Sequence, residues 1–376
     1  MILKNGFVFT GEGDFRALDV EICGERIARV APAGTLHGDD EMDVSGKYIT
    51  PGFVDIHIHG AKGSDFCDGS AKDIETIAEY LGGEGVTSFC GTTMAFSEEI
   101  LDNIITVAKP YFGKDGGGAV LRGVNMEGPF FSKAKKGAQA EEYIVNPDYD
   151  MFARLFDLSD GNIKFVDMAP ELSGSLDFIT KASEKCTVSI AHTTATYDEA
   201  KAAYLAGASH TTHLFNAMPA FNHRDPGVVG AASDYAAHVE MISDGIHLHP
   251  AVVRSVFEWF GDDRVCLISD SMRACGMPNG DYSLGGQKVV MKDGKATLVD
   301  GTIAGSATCL AACVKRAVSF GVPIESALKA STINPAKAAG LYDELGSIEK
   351  GKRADVLVLD ISMTPEHIFI GGKKIK

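Results

Sequence analysis

The chain has 376 residues and carries 35 Lys and Arg against 51 Asp and Glu, so its formal net charge is −16. This length predicts two or three domains, or one large barrel with an appendage. A hydrophobic fraction of 45% and a charged fraction of 23% exclude a disordered, collagen-like or coiled-coil chain. The acidic balance argues against non-specific binding to nucleic acid or to an anionic membrane surface.

The first residues and the cysteines bear on the cellular compartment. Residues 1–12 lack the basic and then apolar pattern of a signal peptide, and no run approaches the roughly 18 apolar residues of a membrane span. The eight cysteines include no CxxC pair. Scattered cysteines in a chain of this length are typical of reduced thiols, so we expect a cytoplasmic protein.

Both ends of the chain predict short strands and show no helical periodicity. Near the start, strand-like runs lie at 2–10, 19–22, 26–30 and 47–49, and near the end they lie at 355–360 and 367–370. Two strand-rich ends that flank an α/β region are expected to pair with each other. We therefore expect residues 1–50 and 344–376 to form a small β-sandwich domain, and residues 51–343 to form the second, larger domain.

Between the two ends, β-type runs alternate with helical patterns. The eight apolar runs lie at 53–56, 87–90, 120–126, 163–168, 187–191, 208–212, 239–242 and 265–269. Helical periodicity predicts helices at 74–81, 98–108, 149–157, 197–206 and 251–260. This rhythm is typical of an α/β fold, the (β/α)8 TIM-like barrel. A doubly wound open sheet is the alternative, and the absence of GxGxxG and GxxxxGK[ST] motifs argues against its nucleotide-binding form.

Side chains that bind metals or transfer protons follow six of the eight predicted strands. Barrel enzymes place their active sites at the carboxyl ends of the strands, so these side chains are expected to meet at one face. A single such residue is weak evidence, whereas their shared position predicts a functional site. In chain order they are His57, His59, Glu127, His192, His213, His247 and Asp270.

The spacing of His57 and His59 is a separate geometric reason to expect a metal site. Residues two apart on an extended strand point the same way, so both imidazoles are able to address one ion. With the glutamate and the histidines of the later strands they form a nitrogen and oxygen set suited to Zn, Fe, Mn or Co. A carboxylate beside such an ion accepts and returns a proton, which makes Asp270 the acid–base candidate.

Two further features are interpreted as structural. Lys133, Lys135 and Lys136 suit the attraction of a phosphate, but a solvated loop is the favoured interpretation, because clusters of charge are usually exposed to solvent. Trp259 is the only tryptophan, and it lies in a segment where the apolar face of a predicted helix accounts for it.

The segment 51–60, PGFVDIHIHG, resembles the first-strand signature of the amidohydrolase superfamily. The segments at 346–348 and 351–355 resemble the return strand of that superfamily, and 334–336 resembles its late helix. More specifically, the chain resembles the N-acetylglucosamine-6-phosphate deacetylase family over essentially its whole length. The motifs that carry this resemblance are NMEGPF at 125–130, HLFNAM at 213–218, HRDPG at 223–227, SDGIH at 243–247, SDSMR at 269–273 and GTIAGS at 301–306.

The resemblance implies a metal centre and an acid–base residue. Glu127, His192 and His213 correspond to the main metal ligands of the family, and Asp270 corresponds to its catalytic acid–base residue. Some members replace the first-strand histidines and keep one metal, whereas both histidines are present here. One or two divalent ions per chain are therefore implied.

The resemblance also implies a substrate site and a partner. Arg224 matches a phosphate-binding arginine that reaches the active site of a neighbouring subunit, which implies a homodimer. Some members carry a histidine that polarises the substrate carbonyl where this chain has Gln139, whose amide donates a hydrogen bond but is never protonated. The other substrate-binding positions are Ala138, Asn216, Ala217, His247, Ile303, Ala304 and Gly305.

The implied reaction is metal-dependent hydrolysis of N-acetyl-D-glucosamine 6-phosphate to D-glucosamine 6-phosphate and acetate, a step of amino-sugar catabolism. The galacto epimer of this substrate, a deaminase or cyclic-amidase activity, and a catalytically inactive scaffold stay open as alternatives. Cyclic amidases typically use a carboxylated lysine at the end of the fourth strand, where Lys164 lies at the wrong end. An inactive barrel predicts the loss of some ligands, yet the full set is present.

Overall fold

The computed structural model describes residues 1–376, and its central feature is a barrel of eight parallel strands. Each strand pairs with its neighbour in chain order, and a parallel bridge from Ile58 to Ser271 joins the first strand to the segment after the last. The predicted (β/α)8 architecture is confirmed. The strands are β1 (Phe53–Ile58), β2 (Val86–Thr92), β3 (Val120–Glu127), β4 (Ile163–Met168), β5 (Thr187–Ile190), β6 (His210–Thr211), β7 (His238–Ile242) and β8 (Val265–Ile268).

The barrel strands are buried on both faces because helices cover the outside and side chains fill the inside. Such strands read as nearly continuous apolar runs instead of alternating ones. Every residue of β8, with the sequence VCLI, is buried, and so is every residue of β3, with the sequence VLRGVNME. The acidic residue that ends β3 is Glu127, so this strand delivers a carboxylate to the carboxyl end of the barrel.

A helix follows each barrel strand, and two more helices precede the C-terminal strands. Ser70 caps the first helix by accepting the backbone N–H of Asp73 at 3.2 Å, and Thr196 and Glu199 form a reciprocal capping box at the fifth. None of the helices has the length and apolar composition that crossing a membrane requires. They are α1 (Ala71–Gly83), α2 (Glu98–Ala108), α3 (Tyr149–Leu158), α4 (Ser175–Ala182), α5 (Tyr197–Ala206), α6 (Gly227–Tyr235), α7 (Pro250–Phe260), α8 (Leu310–Ser319), α9 (Ile324–Ser331) and α10 (Ile333–Ala338).

The two ends of the chain pair in one eight-stranded sheet beside the barrel. Tyr48–Pro51 lies antiparallel to Val356–Leu359, and the buried side chains of the sheet form a hydrophobic cluster of their own. We propose residues 1–50 with 344–376, and residues 51–343, as the limits of the two domains. The strands of this sheet are Ile2–Phe9, Phe15–Cys23, Arg26–Pro32, Glu41–Asp43, Tyr48–Pro51, Val356–Leu359, Pro365–Ile370 and Lys373–Lys374.

A three-stranded antiparallel sheet between β8 and α8 was not predicted. Its strands are Gly280–Leu284, Gln287–Lys292 and Lys295–Leu298. The amide of Gln287 donates a hydrogen bond to the carbonyl oxygen of Ala138, so the sheet is fastened to a loop that follows β3. This small sheet therefore lies over the carboxyl end of the barrel, where the candidate residues gather.

Candidate active site

Three candidate residues lie two positions beyond the ends of barrel strands, in a backbone conformation that is rare for residues other than glycine. His192 follows β5, His213 follows β6 and Asp270 follows β8, with φ angles of 44°, 27° and 46°. Such conformations cost roughly 1–3 kcal/mol each and cluster at functional sites, where the surrounding structure enforces them. The strained turns place the three side chains at the end of the barrel where Glu127 ends β3.

Glu127, His192 and His213 form a first group of potential metal ligands. Nε2 of His192 lies 3.1 Å from Oε1 of Glu127, Nε2 of His213 lies 3.3 Å from the same oxygen, and the two nitrogens are 3.2 Å apart. All three side chains are buried. Ligand atoms at about 2.0 Å from a tetrahedral ion stand about 3.3 Å from one another. The three atoms therefore have the spacing of a metal site.

A second group, His57, His59 and Asp270, adjoins the first. Oδ1 of Asp270 lies 3.8 Å from Nε2 of His57 and 3.4 Å from Nε2 of His59. Glu127 faces this group as well, because its Oε1 lies 3.7 Å from Nε2 of His57 and its Oε2 lies 3.4 Å from Nε2 of His59. One carboxylate thus stands between two sets of donors, an arrangement that suits one ion or a pair of ions.

The hydrogen bonds of the ring Nδ1 atoms show which nitrogen of a histidine is left bare. Nδ1 of His59 lies 3.3 Å from the carbonyl oxygen of Thr92, and Nδ1 of His192 lies 2.8 Å from that of Lys135. A carbonyl oxygen only accepts, so Nδ1 carries the proton of the neutral ring and Nε2 presents a lone pair. Metal-binding histidines are held in this way. The residues present therefore fit a divalent metal.

The carboxylates of the site stay ionised although they are buried. Burial raises the pKa of Glu127, but its hydrogen bonds with His192 and His213 and the nearby rings of His57 and His59 together outweigh that effect and hold the pKa well below its usual value. Burial also raises the pKa of Asp270, but the contact with His59 and the nearby ring of His57 together outweigh it, so that this pKa is lowered too. An ionised Asp270 is ready to accept a proton.

The two groups lie at the floor of a pocket of about 490 Å³, a volume typical of small-molecule sites. His57 and Ala304 are fully buried and do not line it. Arg224 is exposed on a loop outside the pocket, where its backbone N–H donates to Oδ1 of Asn222. The candidate residues that do line the pocket are His59, Glu127, Ala138, Gln139, His192, His213, Asn216, Ala217, His247, Asp270, Ile303 and Gly305.

Gln139 is held at the pocket wall by two hydrogen bonds of its side chain. Its Nε2 donates to Oε2 of Glu127 at 2.8 Å, and its Oε1 accepts the backbone N–H of Ala95 at 2.7 Å. An amide nitrogen carries two hydrogens, and only one of them is used in the bond to Glu127. The amide therefore orients Glu127 and keeps a second hydrogen available as a donor.

His247 forms a pair with Asp244 at the pocket. Oδ2 of Asp244 lies 2.8 Å from Nδ1 of His247, and its Oδ1 accepts the backbone N–H groups of Ile246 and His247. Burial lowers the pKa of His247, but the carboxylate outweighs it and raises that pKa above its ordinary value. The pair therefore favours a positively charged ring at the pocket, which suits an anionic group.

Some residues around the site were missed or interpreted differently from the sequence. Lys133, Lys135 and Lys136 line the pocket, so the loop that carries them is more than a solvated connection. Glu240 places a buried carboxylate beside His57, with Oε2 at 3.0 Å from Nδ1 of the ring. Its position in the middle of β7 gave no signal, because the pattern that indicates active-site residues in a barrel is the position after a strand.

An exposed aromatic pair lies on the outer surface near Arg224. Phe221 precedes Arg224 in the same loop, and its ring centroid is 5.3 Å from that of Trp259. Trp259 is 44% exposed and Phe221 is 45% exposed. The apolar helix face expected from the sequence therefore does not bury the tryptophan.

The chain is similar to known proteins over nearly its whole length. The amidohydrolase family model matches residues 48–375. The N-acetylglucosamine-6-phosphate deacetylase of Lysinibacillus sphaericus is 35% identical over 373 residues, which are 98% of this chain and 95% of that protein. The N-acetylgalactosamine-6-phosphate deacetylase of Escherichia coli O157:H7 is 33% identical over 375 residues, which are 99% of this chain and 98% of that protein.

A solved structure has the same fold as this chain. It is a variant of N-acetyl-D-glucosamine-6-phosphate deacetylase from Mycobacterium smegmatis in complex with N-acetyl-D-glucosamine-6-phosphate. It superposes with a TM-score of 0.94 at 30% sequence identity, over 100% of this chain and 99% of that one. The chain therefore belongs to the amidohydrolase family and, within it, to the group of amino-sugar-phosphate deacetylases.

Proposed function

We propose that the protein hydrolyses the acetamide of N-acetyl-D-glucosamine 6-phosphate and releases acetate and D-glucosamine 6-phosphate. The observation that carries the proposal is the position of Asp270 beside converging metal-ligand side chains at the floor of a pocket lined by lysines. The relatives support the substrate, because the Lysinibacillus sphaericus protein is a deacetylase of this compound and the Mycobacterium smegmatis enzyme binds it in its solved structure.

The two ligand groups are proposed to hold one or two divalent ions, with Glu127 between them. The nitrogen and oxygen donors suit Zn, Fe, Mn or Co. Such an ion, when bound, supplies a Lewis acid that lowers the pKa of water and polarises a carbonyl group.

Asp270 is proposed to move the protons of the reaction. Its ionised carboxylate accepts a proton from the attacking water and then delivers it to the departing amine. The backbone of Asp270 is fixed on both sides, since its N–H donates to the carbonyl oxygen of His57 at 2.9 Å and its own carbonyl oxygen accepts the N–H of Ser306 at 2.7 Å. The second amide hydrogen of Gln139 is proposed to donate to the acetyl oxygen, where negative charge develops.

The 6-phosphate is proposed to meet positive groups from two chains. His247 and the lysines of the pocket wall lie in the same chain as the metal ligands. Arg224, whose guanidinium suits bidentate binding of phosphate, is proposed to enter the pocket of a second copy. The exposed pair Phe221 and Trp259 supports a homodimer in which this surface is covered, because aromatic residues are enriched in the cores of interfaces.

N-acetylgalactosamine 6-phosphate is the second candidate substrate. A relative named N-acetylgalactosamine-6-phosphate deacetylase is 33% identical to this chain, and the match covers almost all of both proteins. The two sugars differ in the configuration of one hydroxyl group, so the same acetyl and phosphate contacts serve both. Only a direct comparison of rates decides between them.

Acetate release tests the proposal. The purified protein, with its metal content measured, receives the gluco 6-phosphate, the galacto 6-phosphate and unphosphorylated N-acetylglucosamine in parallel. We expect one acetate and one primary amine per substrate consumed, with the highest kcat/KM for the gluco 6-phosphate. A higher kcat/KM for the galacto compound would select the second candidate, and no acetate from either phosphate would refute deacetylation.

We also propose that the enzyme works in the cytoplasm. All eight cysteines are unpaired, which is typical of proteins in a reducing compartment.

A further inference from the structure

Glu240 lies in the middle of β7, and its side chain is fully buried inside the barrel beneath the ligand groups. We propose that Glu240 is a positioning residue that holds His57 as a metal ligand and links it to His213. The inference rests on the proposed function, because it takes both ligand groups to be metal sites. Its test uses metal binding as the readout and does not depend on the identity of the substrate.

Glu240 contacts His57 at the ring nitrogen that faces away from the other ligands. Oε2 of Glu240 lies 3.0 Å from Nδ1 of His57. Nε2 of His57 has no hydrogen-bond partner and lies 3.7 Å from Oε1 of Glu127. With the proton held on Nδ1 by the carboxylate, Nε2 presents its lone pair to the region between the two ligand groups.

The hydrogen-bond partner of Nδ1 in His57 differs in charge from the partners of His59 and His192. Nδ1 of His59 and Nδ1 of His192 each donate to a neutral backbone carbonyl oxygen. A carboxylate partner makes an imidazole a more basic ligand than a carbonyl partner does. The affinity for an ion at His57 should therefore depend on the negative charge of Glu240, beyond the orientation that any acceptor would supply.

The same carboxylate oxygen also reaches the first ligand group. Oε2 of Glu240 accepts the backbone N–H of His213 at 3.2 Å, and the carbonyl oxygen of Glu240 accepts the N–H of Leu214 at 2.9 Å. His213 has a φ of 27°, a conformation that persists only where its surroundings hold it. Glu240 thus touches the ring of one ligand and the main chain of another, and the effect on the ring is the one that depends on its charge.

Three single substitutions and one double variant separate this role from a general structural one. Glu240→Gln keeps the shape and one acceptor oxygen but removes the charge. Asp167→Asn is the matched control, because Asp167 on β4 is equally buried and its Oδ2 accepts a hydrogen bond from Thr212 at 2.9 Å, not from a ligand residue. His57→Gln identifies the ion that depends on His57, and its combination with Glu240→Gln shows whether Glu240 acts through that ring.

The measurement is the number and affinity of Zn ions bound by the metal-free full-length protein, in competition with a chromophoric chelator. One ion should lose affinity in His57→Gln. We expect Glu240→Gln to weaken the binding of that same ion by about 10- to 100-fold. The other ion should stay within a few-fold of its wild-type affinity, and Glu240→Gln should add nothing to His57→Gln in the double variant. Asp167→Asn should bind both ions as the wild type does.

The inference would be overturned if Glu240→Gln bound both ions with wild-type affinity. It would also be overturned if Asp167→Asn lost as much metal affinity as Glu240→Gln. If circular dichroism shows that Glu240→Gln is unfolded, Glu240→Asp takes its place with the same expectation, since it withdraws the carboxylate by one methylene. If His57→Gln changes neither affinity, the inference falls together with the second ion. Acetate release by the wild-type protein would still decide the proposed deacetylation, so the two failures are distinguishable.

Discussion

At the scale of single residues, the chemistry of the site depends on the residues that hydrogen-bond to each reactive side chain. Asp244 accepts two backbone N–H groups and faces the ring of His247, so the charge of the ring is set by a residue that does not itself line the pocket. Gln139 relates to Glu127 in a similar way, because its amide donates to the carboxylate from the pocket wall. Substitution of such partners should change binding or pH dependence more than folding.

Replacement of Asp244 by Asn should shift the pH dependence of substrate binding. The carboxylate raises the pKa of His247, so the positive ring is present below that raised pKa and is lost as the pH rises through it. Without the carboxylate of Asp244, the ring of His247 loses its positive charge at lower pH. We expect the alkaline limb of kcat/KM for the sugar 6-phosphate to move to lower pH, as measured by steady-state kinetics across the neutral range.

The matched control for this variant is Ser243→Ala, because Ser243 adjoins Asp244 but its hydroxyl donates to the carbonyl oxygen of Cys313. The control should keep the wild-type profile. An alkaline limb that stays in place in Asp244→Asn would show that His247 does not meet the phosphate.

The sequence indicated the reactive side chains much better than the residues that hydrogen-bond to them and set their orientation or charge. The pattern HxH on a strand and the position after a strand are local signals, and they indicated His57, His59, His192, His213 and Asp270. Partners of these residues come from loops and strand centres that are distant in the chain, and no spacing rule links them. Burial of a carboxylate in the middle of a strand is visible only once the strands are assembled.

At the scale of elements, the three-stranded sheet after β8 acts as a cover for the pocket. Leu284 from its first strand lines the pocket, and Gln287 from its second strand donates to the carbonyl oxygen of Ala138. That hydrogen bond joins the cover to the loop that carries Gln139. The position of one wall of the pocket therefore depends on an element that is not part of the barrel.

Replacement of Gln287 by Ala should weaken substrate binding more than turnover. The lost hydrogen bond frees the loop that presents Gln139, and one net hydrogen bond of about 1 kcal/mol corresponds to roughly a fivefold change. We expect KM for the sugar 6-phosphate to rise about two- to tenfold with kcat nearly unchanged. Lys292→Ala, an exposed position at the end of the same strand, is the control and should leave both constants unchanged.

Many elements with a clear local signature were predicted, but some with one were missed, among them the amphipathic helices α4, α8 and α9. Amphipathic helices such as α2 and α7 carry a 3.6-residue period, whereas α6 has the sequence GVVGAASDY, whose small and apolar residues leave little polar face to detect. The hairpins of the small sheet did carry a signal, because GG at 285–286 and DG at 293–294 are typical two-residue turns. The prediction from the sequence nevertheless included no sheet in this segment.

At the scale of the whole molecule, a net charge of −16 coexists with a pocket suited to an anion. Bulk charge governs non-specific binding and solubility, whereas a few placed donors and a metal centre set the local field. The chain supplies His247 and three lysines at its own pocket, and its exposed Arg224 is proposed to serve the pocket of a second copy. The dimer is therefore part of the proposed recognition of phosphate.

Arg224→Ala should raise KM strongly for the 6-phosphate and little for the unphosphorylated sugar, and subunit mixing should show that the residue acts in trans. In a mixture with Asp270→Asn, the Arg224→Ala chain of a heterodimer would receive Arg224 of the partner subunit. At equal mixing about a quarter of the sites would then be complete, so activity at low substrate should return to about a quarter of the wild-type value. No gain over the average of the two separate variants would place the arginine outside the neighbouring site.

The central claim is that Asp270 transfers protons at a metal centre built on Glu127, His192 and His213. The most direct measurement is kcat for acetate release by Asp270→Asn, with the metal content of this variant and of the wild type determined in the same preparations. The account predicts that the variant keeps the ion of the first ligand group and that its kcat falls by about 10²- to 10⁴-fold or more. A kcat within a few-fold of the wild type, with that ion retained, would contradict it.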